Sequence, residues 1–322
     1  MLTGDRPTGA LHIGHYFGSL VNRVRLQDLG AETWVLVADY QVITDRDVAG
    51  DIRGSVRELI TDYLAVGIDP ERSTIFTHSA VPALNQLLLP FLSLVSVAEL
   101  QRNPTVKDEA ASAGIKAISG LMLTYPVHQA ADILFCKGNV VPVGRDQLPH
   151  IEQTRVVARR FNERYGVTFP EPDALLSQAT HVAGLDGTKM SKSRGNAIEL
   201  RMSADETAKL IKKAKTDSDR VITYDPENRP EVANLIKLAS LCEGTDPEQI
   251  AAEIGDGGGG ALKARVTEAV NTFFAPVRAR RAEIEADSGV VYDVLARGNA
   301  AANEVADATL AEVREKMGMT YP

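Results

Sequence analysis

Two histidines three residues apart and two lysines three residues apart are the side chains of this sequence best suited to handling a phosphoryl group. His12 and His15 stand in Thr8-Gly9-Ala10-Leu11-His12-Ile13-Gly14-His15, and Gly4, Pro7 and Gly9 before them mark a tight loop. From Gly14 onward Phe17, Leu20, Val21 and Val24 recur at helical spacing up to Gly30. A loop therefore feeds a helix N-terminus, whose unpaired N–H groups and positive dipole end favour phosphate. His12 and His15 share a face and can donate together to oxygens whose negative charge grows during reaction. Gly14 puts no side chain in the way of a flat base. Far downstream, Lys189-Met190-Ser191-Lys192-Ser193 places two lysines in a loop opened by Gly184 and Gly187. Alone, the histidine pair reads as a helix cap and the lysine pair as a solvated basic loop. Their ordered combination argues for a joint phosphate site.

In this order and at about this separation, the two motifs resemble the ATP-binding motifs of class I aminoacyl-tRNA synthetases. The stretch between them narrows the likeness to the tryptophanyl branch: Tyr125-Pro126-Val127-His128-Gln129-Ala130-Ala131-Asp132-Ile133-Leu134, then Val140-Val141-Pro142-Val143-Gly144-Arg145-Asp146-Gln147 and His150-Ile151-Glu152-Gln153-Thr154-Arg155. The resemblance covers nearly the whole chain. It implies an α/β, doubly wound parallel-sheet catalytic domain of Rossmann type over residues 1–185. Over residues 186–322 it implies the lysine loop followed by a helical anticodon-binding domain. The implied reaction activates L-tryptophan with ATP, Mg²⁺ bridging the phosphate oxygens, and then transfers the tryptophanyl group to tRNA(Trp). A homodimer is implied as well; the helices after Pro82 and around Tyr125 are apolar enough to pair, although such faces more often belong to a core.

The likeness also implies site residues. His12, His15, Lys189 and Lys192 would be catalytic, with Arg194 assisting from the same loop. ATP would meet Arg6, Thr8, His12, Gly14, His15, Gly144, Asp146, Lys189, Met190, Ser191, Lys192 and Ser193. Tryptophan would meet Gln41, Tyr125, Gln129, Asp132, Val141, Val143 and Gln147. Asp132 would accept the indole N–H in a charge-assisted bond, and Tyr125 with Gln147 would hold the α-amino group. A buried acceptor left unpaired rejects a substrate lacking its donor by roughly 10⁴ to 10⁵, so no editing domain is expected. No resident metal is expected. Neither step needs a protein nucleophile; placement and charge stabilisation suffice.

The sequence departs from the family pattern at Gln41, where many bacterial members carry histidine, at His128-Gln129, which replace an apolar pair, and at Arg6, which replaces glutamine. The first two make the pocket more polar and leave the phosphate chemistry intact. They point to an auxiliary form of the enzyme, less sensitive to tryptophan-mimicking antibiotics such as indolmycin. Three rivals stay open: tyrosine specificity on the same fold, a nucleotidyltransferase using the histidine motif without tRNA, and a silent paralogue.

At 322 residues with 44% hydrophobic composition, the chain can bury substantial cores. It has no apolar run long enough for a membrane span and no secretory leader, so a cytoplasmic protein is expected. Cys136 and Cys242 form neither a metal motif nor an expected disulfide. A net charge of −8 argues against indiscriminate nucleic-acid binding. Lys209, Lys212, Lys213 and Lys215, and Arg278, Arg280 and Arg281, are local basic clusters that read equally as tRNA contacts or solvated helix faces.

The elements that must position these residues follow from periodicity. Strands are expected over 32–38, 73–77 and 140–143, and helices over 51–66, 122–135 and 148–164, with an apolar helix through 87–97. Residues 102–120 read as a mobile segment over the site, with Lys107 and Lys116 within reach of phosphates. After the lysine loop the strands stop. Ser203-Ala204-Asp205-Glu206 and Thr245-Asp246-Pro247-Glu248 open helices. Gly257 to Gly260 reads as a break before helices over 261–286 and 292–317.

Overall fold

The computed structural model describes the chain except residues 45–49, 113, 115, 116, 177–181, 288 and 322; the side chains of Ser112 and Ser193 are likewise outside it. Lys116 therefore lies outside the described residues. Three parallel strands, β1 (Leu2–Asp5), β2 (Thr33–Val37) and β3 (Ser73–Thr77), lie in that order, and β4 (Val140–Val143) pairs in parallel with β5 (Asp173–Leu176). β1 and β4 lie side by side, so the spatial order is β3-β2-β1 and then β4-β5. The chain leaves β1 in one direction and returns on its other side. That reversal opens a crevice at the carboxyl ends of β1 and β4, where doubly wound sheets bind ligands.

β2, Thr-Trp-Val-Leu-Val, is buried along its whole length. Val35 and Val37 face one apolar core, with Leu59 and Ile60 of the helix Ile52–Ala65, and Trp34 and Leu36 face another, with Leu84, Leu87 and Ile133. Alternate side chains of a strand buried on both faces must be apolar, which is why no polar residue interrupts the run. β1 and β5 have no signature in the sequence. β1 is four residues with a glycine inside, and a Cβ on Gly4 would collide with the Leu36 carbonyl of the neighbouring strand. That glycine reflects close strand approach, not a loop.

The helix expected over 51–66 is Ile52–Ala65, capped by Asp51 accepting from the Gly54 N–H; those expected near 122–135 and 148–164 are Gly120–Leu134 and Leu148–Tyr165. Three expectations are corrected. The apolar helix near 87–97 is Pro82–Leu92, and a Ser96–Glu99 capping box then starts a separate helix, Val97–Arg102. Within the segment expected to be mobile, Pro104–Ser112 is helical: Asn103 Oδ1 accepts from the Thr105 N–H at 3.0 Å, and Val106 and Ala110 pack on Met122 and Tyr125. Two apolar residues among small and charged ones are too weak a stripe to read from sequence. Finally, the break before the long helix ends sooner than expected, because Gly258 to Gly260 are already the first turn of Gly258–Ala286. The chain turns through Gly255 and Gly258, both at positive φ, and Gly259 stays bare because a Cβ there would lie 3.0 Å from Thr216 Oγ1.

The helices after the lysine loop are Ala204–Lys212, Pro230–Glu243, Pro247–Ile254, Gly258–Ala286 and Gly289–Lys316. Leu235, Ile236 and Phe274 from this region share one core with Leu11, Ile13 and Val35 of the sheet region. The last helix returns to the sheet. A Cβ on Gly298 would overlap the Ile75 backbone, Asn299 Oδ1 accepts from the Thr77 N–H at 3.0 Å, and Thr309 Oγ1 donates to the Phe135 carbonyl at 2.7 Å.

Candidate active site

The turn Ile13–His15 starts the first helix, and His12 is its cap. Each histidine caps the other. The His15 N–H donates to His12 Nδ1 at 3.3 Å, and the His12 N–H donates to His15 Nδ1 at 3.1 Å. The rings stack with centroids 3.7 Å apart. Because both Nδ1 atoms accept, the ring proton sits on Nε2 in each, leaving that N–H free to donate outward. Burial pushes both imidazoles down in pKa, His12 to about 3, so the pair is neutral at pH 7 and acts through oriented N–H groups, not charge. Gly14 is bare because a Cβ would stand 2.9 Å from His12 Nδ1 and 3.2 Å from Met190 Sδ. The next turn, Tyr16–Leu20, is π-helical; this widening, common at functional sites, places Gly18 and Ser19 on the cavity wall.

The lysine loop is stitched to this turn. The Ile13 N–H donates to the Ile198 carbonyl and the Leu200 N–H to the Leu11 carbonyl, both at 2.9 Å. Lys192 Nζ donates to the Thr8 carbonyl at 3.1 Å. Asn196 holds the loop's shape: its Oδ1 accepts from the Ser191 N–H at 2.8 Å, and its Nδ2 reaches Asp186 Oδ1 at 2.8 Å and the Lys189 carbonyl at 3.2 Å. Lys189 is exposed and Met190 is buried against the histidine turn. Arg194 donates to Thr188 Oγ1 at 3.2 Å.

A cavity of about 530 Å³ fills the crevice. All seven residues expected to meet tryptophan line it: Gln41, Tyr125, Gln129, Asp132, Val141, Val143 and Gln147. Of the ATP set, Arg6, Gly14, His15, Gly144 and Asp146 line it, whereas Thr8, His12, Lys189, Met190, Ser191 and Lys192 do not. Lys192 rests on the histidine loop instead, and Lys189 is exposed. The Ser193 side chain lies outside the described residues.

At the cavity's inner end Asp132, on Gly120–Leu134, is 3% exposed, and its Oδ1 accepts from His78 Nε2 at 2.8 Å. His78 stacks on His128 with centroids 4.5 Å apart, and His128 Nδ1 accepts from Gln41 Nε2 at 3.1 Å. Thr44 Oγ1 donates to Gln41 Oε1 at 2.7 Å, fixing that amide's orientation. His78, His128 and Asp132 each bring a ligand atom within 4.8 Å of the others. Ring planes only 24° apart do not converge on one ion, so the group suits hydrogen bonding better than metal ligation. Nearer the mouth, Asn103 Nδ2 lies 3.3 Å from His150 Nδ1, and His150 Nε2 lies 3.0 Å from the Tyr125 oxygen. Asn103 donates and His150 Nε2–H donates in turn, so the Tyr125 O–H is left to donate. Burial, helped by Glu109, keeps that phenol protonated. Asp5 lines the cavity too; burial pushes its carboxyl up, but Arg23 and Tyr63 outweigh that and hold it below the usual range.

A family model described as tRNA synthetases class I (W and Y) matches residues 1–275. The tryptophan–tRNA ligase of Clostridium longisporum is 43% identical, covering 100% of this chain and 97% of that protein. That of Lactococcus lactis is 42% identical, covering 100% and 98%. Among solved structures, the tryptophanyl-tRNA synthetase of Campylobacter jejuni complexed with ADP and tryptophan has a TM-score of 0.86 at 31% identity, over 98% of this chain and 99% of that one.

The chain belongs to the class I tRNA synthetases.

Within this synthetase, His78 and Asn196 are site residues that motif reading misses. His78 lies in Thr77-His78-Ser79-Ala80-Val81, just past β3, and only the fold carries it to Asp132, 54 residues on. The one available signal was its place at a strand's carboxyl end. One basic cluster is also reassigned. Arg281 is 3% exposed and paired with Glu58 and Asp62, and Arg278 donates to Thr207 and Asn271, which leaves Arg280 exposed. Lys209, Lys212, Lys213 and Lys215 are all exposed, Lys215 pairing with Glu231.

Proposed function

We propose that this synthetase activates L-tryptophan with ATP and transfers it to tRNA(Trp). The observation that carries the reading is Asp132: a buried carboxylate at the end of the cavity, one oxygen taken by His78, in reach of a ring N–H. A phenyl ring offers no donor there, and a phenol O–H would not reproduce the indole N–H geometry. The tryptophan carboxylate attacks the α-phosphate of ATP, and the bond to pyrophosphate breaks. The Nε2–H groups of His12 and His15 donate to the phosphate oxygens, while Gly144 and Asp146 border the nucleotide. Lys192 exchanges its bond to the Thr8 carbonyl for one to the departing pyrophosphate, and Lys189 swings in with it. In the second step a terminal tRNA hydroxyl attacks the acyl-adenylate and AMP leaves.

The carboxylates lining the cavity are Asp5, Glu109, Asp132 and Asp146, and Asp5 is already held by Arg23. These are not clustered as an all-protein Mg²⁺ cage, so Mg²⁺ would ride on the triphosphate oxygens and add positive charge there. Residues 1–185 would act as the catalytic part and 186–322 as the lysine loop and anticodon-binding part, in a homodimer working in the cytoplasm. No helix among the described residues is long and apolar enough to cross a membrane.

The test is ATP–pyrophosphate exchange with each of the twenty amino acids, then with tRNA added. Exchange with tryptophan alone is expected. Exchange with tyrosine would keep the family and overturn the pocket assignment; no exchange, with ATP still bound, would point to a silent paralogue.

A further inference from the structure

Leu11, the residue just before the first catalytic histidine, is gripped through both of its backbone polar groups. The Leu11 N–H donates to Asp62 Oδ2 at 2.7 Å, and the Leu11 carbonyl accepts from Leu200 of the lysine-loop segment at 2.9 Å. Asp62 is on Ile52–Ala65 and fully buried. Its other oxygen accepts from Nη1 of Arg281, which comes from Gly258–Ala286, 219 residues along the chain. Arg281 Nη2 donates to Glu58 Oε2 at 2.6 Å and lies 3.0 Å from Glu285 Oε1, while Arg201 approaches Glu58 at 3.7 Å. One carboxylate thus joins the histidine turn to the long helix of the helical region.

We infer that Asp62 and Arg281 are positioning residues that set the histidine turn for ATP according to where the helix Gly258–Ala286 sits, so that displacement of that helix alters ATP handling. A buried, forked ion pair has few acceptable geometries, and loss of one partner leaves a desolvated charge that must find another. Shifting the helix pulls Arg281, Arg281 pulls Asp62, and Asp62 carries the Leu11 peptide and the adjacent His12. Tryptophan's pocket is built from other elements, so the effect falls on ATP. Catalysis that depends on near-attack placement is sensitive to displacements of an ångström.

This inference rests on the adenylate-forming reading above, and the experiment separates the two. Wild type, Arg281→Met, Arg281→Lys, Asp62→Asn and the Asp62→Asn/Arg281→Met double variant are assayed by pyrophosphate exchange, normalised to active sites titrated by adenylate burst. If wild type prefers another amino acid, the substrate assignment fails and the same comparison is run with that substrate. The expected result in Arg281→Met is an ATP KM raised about tenfold or more with the amino-acid KM within about twofold. Arg281→Lys, which keeps the charge but not the fork, falls between. The double variant is no worse in ATP KM than the poorer single, because both act through one peptide. A pair that only holds the parts together would lower Tm while leaving both KM values per active site unchanged. That result, equal shifts in both KM values, or additive effects in the double variant would each overturn the inference.

Discussion

At the residue scale, chemistry at this site is set by which nitrogen or oxygen is already engaged. Asp132 gives one oxygen to His78, which fixes its aim, and in the proposed reading the other oxygen meets substrate. Asp132→Asn keeps the volume but turns a donor toward the indole N–H. We expect kcat/KM for tryptophan to fall about 10- to 100-fold, with ATP KM nearly unchanged, in steady-state exchange assays. Gln41 is the other informative position. Its amide is held between Thr44 and His128, an arrangement that orients polar groups toward the pocket. If this network makes the enzyme an antibiotic-insensitive form, Gln41→His lowers the indolmycin concentration needed for half inhibition; an unchanged inhibition curve would count against the auxiliary reading.

At the scale of elements, the last helix carries a test of packing against backbone. Gly298 of Gly289–Lys316 rests directly on Ile75 of β3, leaving no room for a methyl group. Gly298→Ala normally favours a helix by about 1 kcal/mol, yet here overpacking should reverse the sign and destabilise by about 1–3 kcal/mol. Urea denaturation of the two proteins decides it, and a stabilised variant would show that the helix can lift from the sheet at little cost. Periodicity and caps made the long amphipathic elements legible: Asp51 and Ser203 cap the helices expected from them, while in Thr245-Asp246-Pro247-Glu248 the cap is Asp246, one residue past the Thr245 of the expected box. β1 stayed hidden behind its glycine, β5 because its residues are mostly exposed, and Pro104–Ser112 because only Val106 and Ala110 form its apolar stripe.

For the molecule as a whole, pH gives a signed prediction. Burial holds His12 at about 3 and His150 at about 4, and pushes His15 and His128 down as well. Between those values and the ordinary 6.5, the unfolded chain binds protons that the folded one refuses, so stability rises with pH across this window. It is fully present above pH 6.5 and is lost as pH falls toward 3 to 4. Asp62 works the other way, because burial raises its carboxyl to about 6 and its contribution fades as pH rises through that value. Four histidines against one carboxyl fix the net sign. Tm measured at pH 5 should therefore lie below that at pH 7, and an equal or higher Tm at pH 5 would mean that these histidines are not buried neutral.

The sequence by itself grouped the residues proposed to run the reaction. Residues whose types suit phosphate and indole chemistry are close together along the chain, and their spacing on helix and loop is local: His12 with His15, Lys189 with Lys192, Tyr125 with Gln129 and Asp132. The tertiary structure alone decided what lies between them. His78 meets Asp132, Lys192 rests on Thr8, Arg281 reaches Asp62, and the last helix returns to β3. Each of these contacts joins residues 54 to 222 apart, a separation at which no local period or cap leaves a trace and only the packing of whole elements selects the partner.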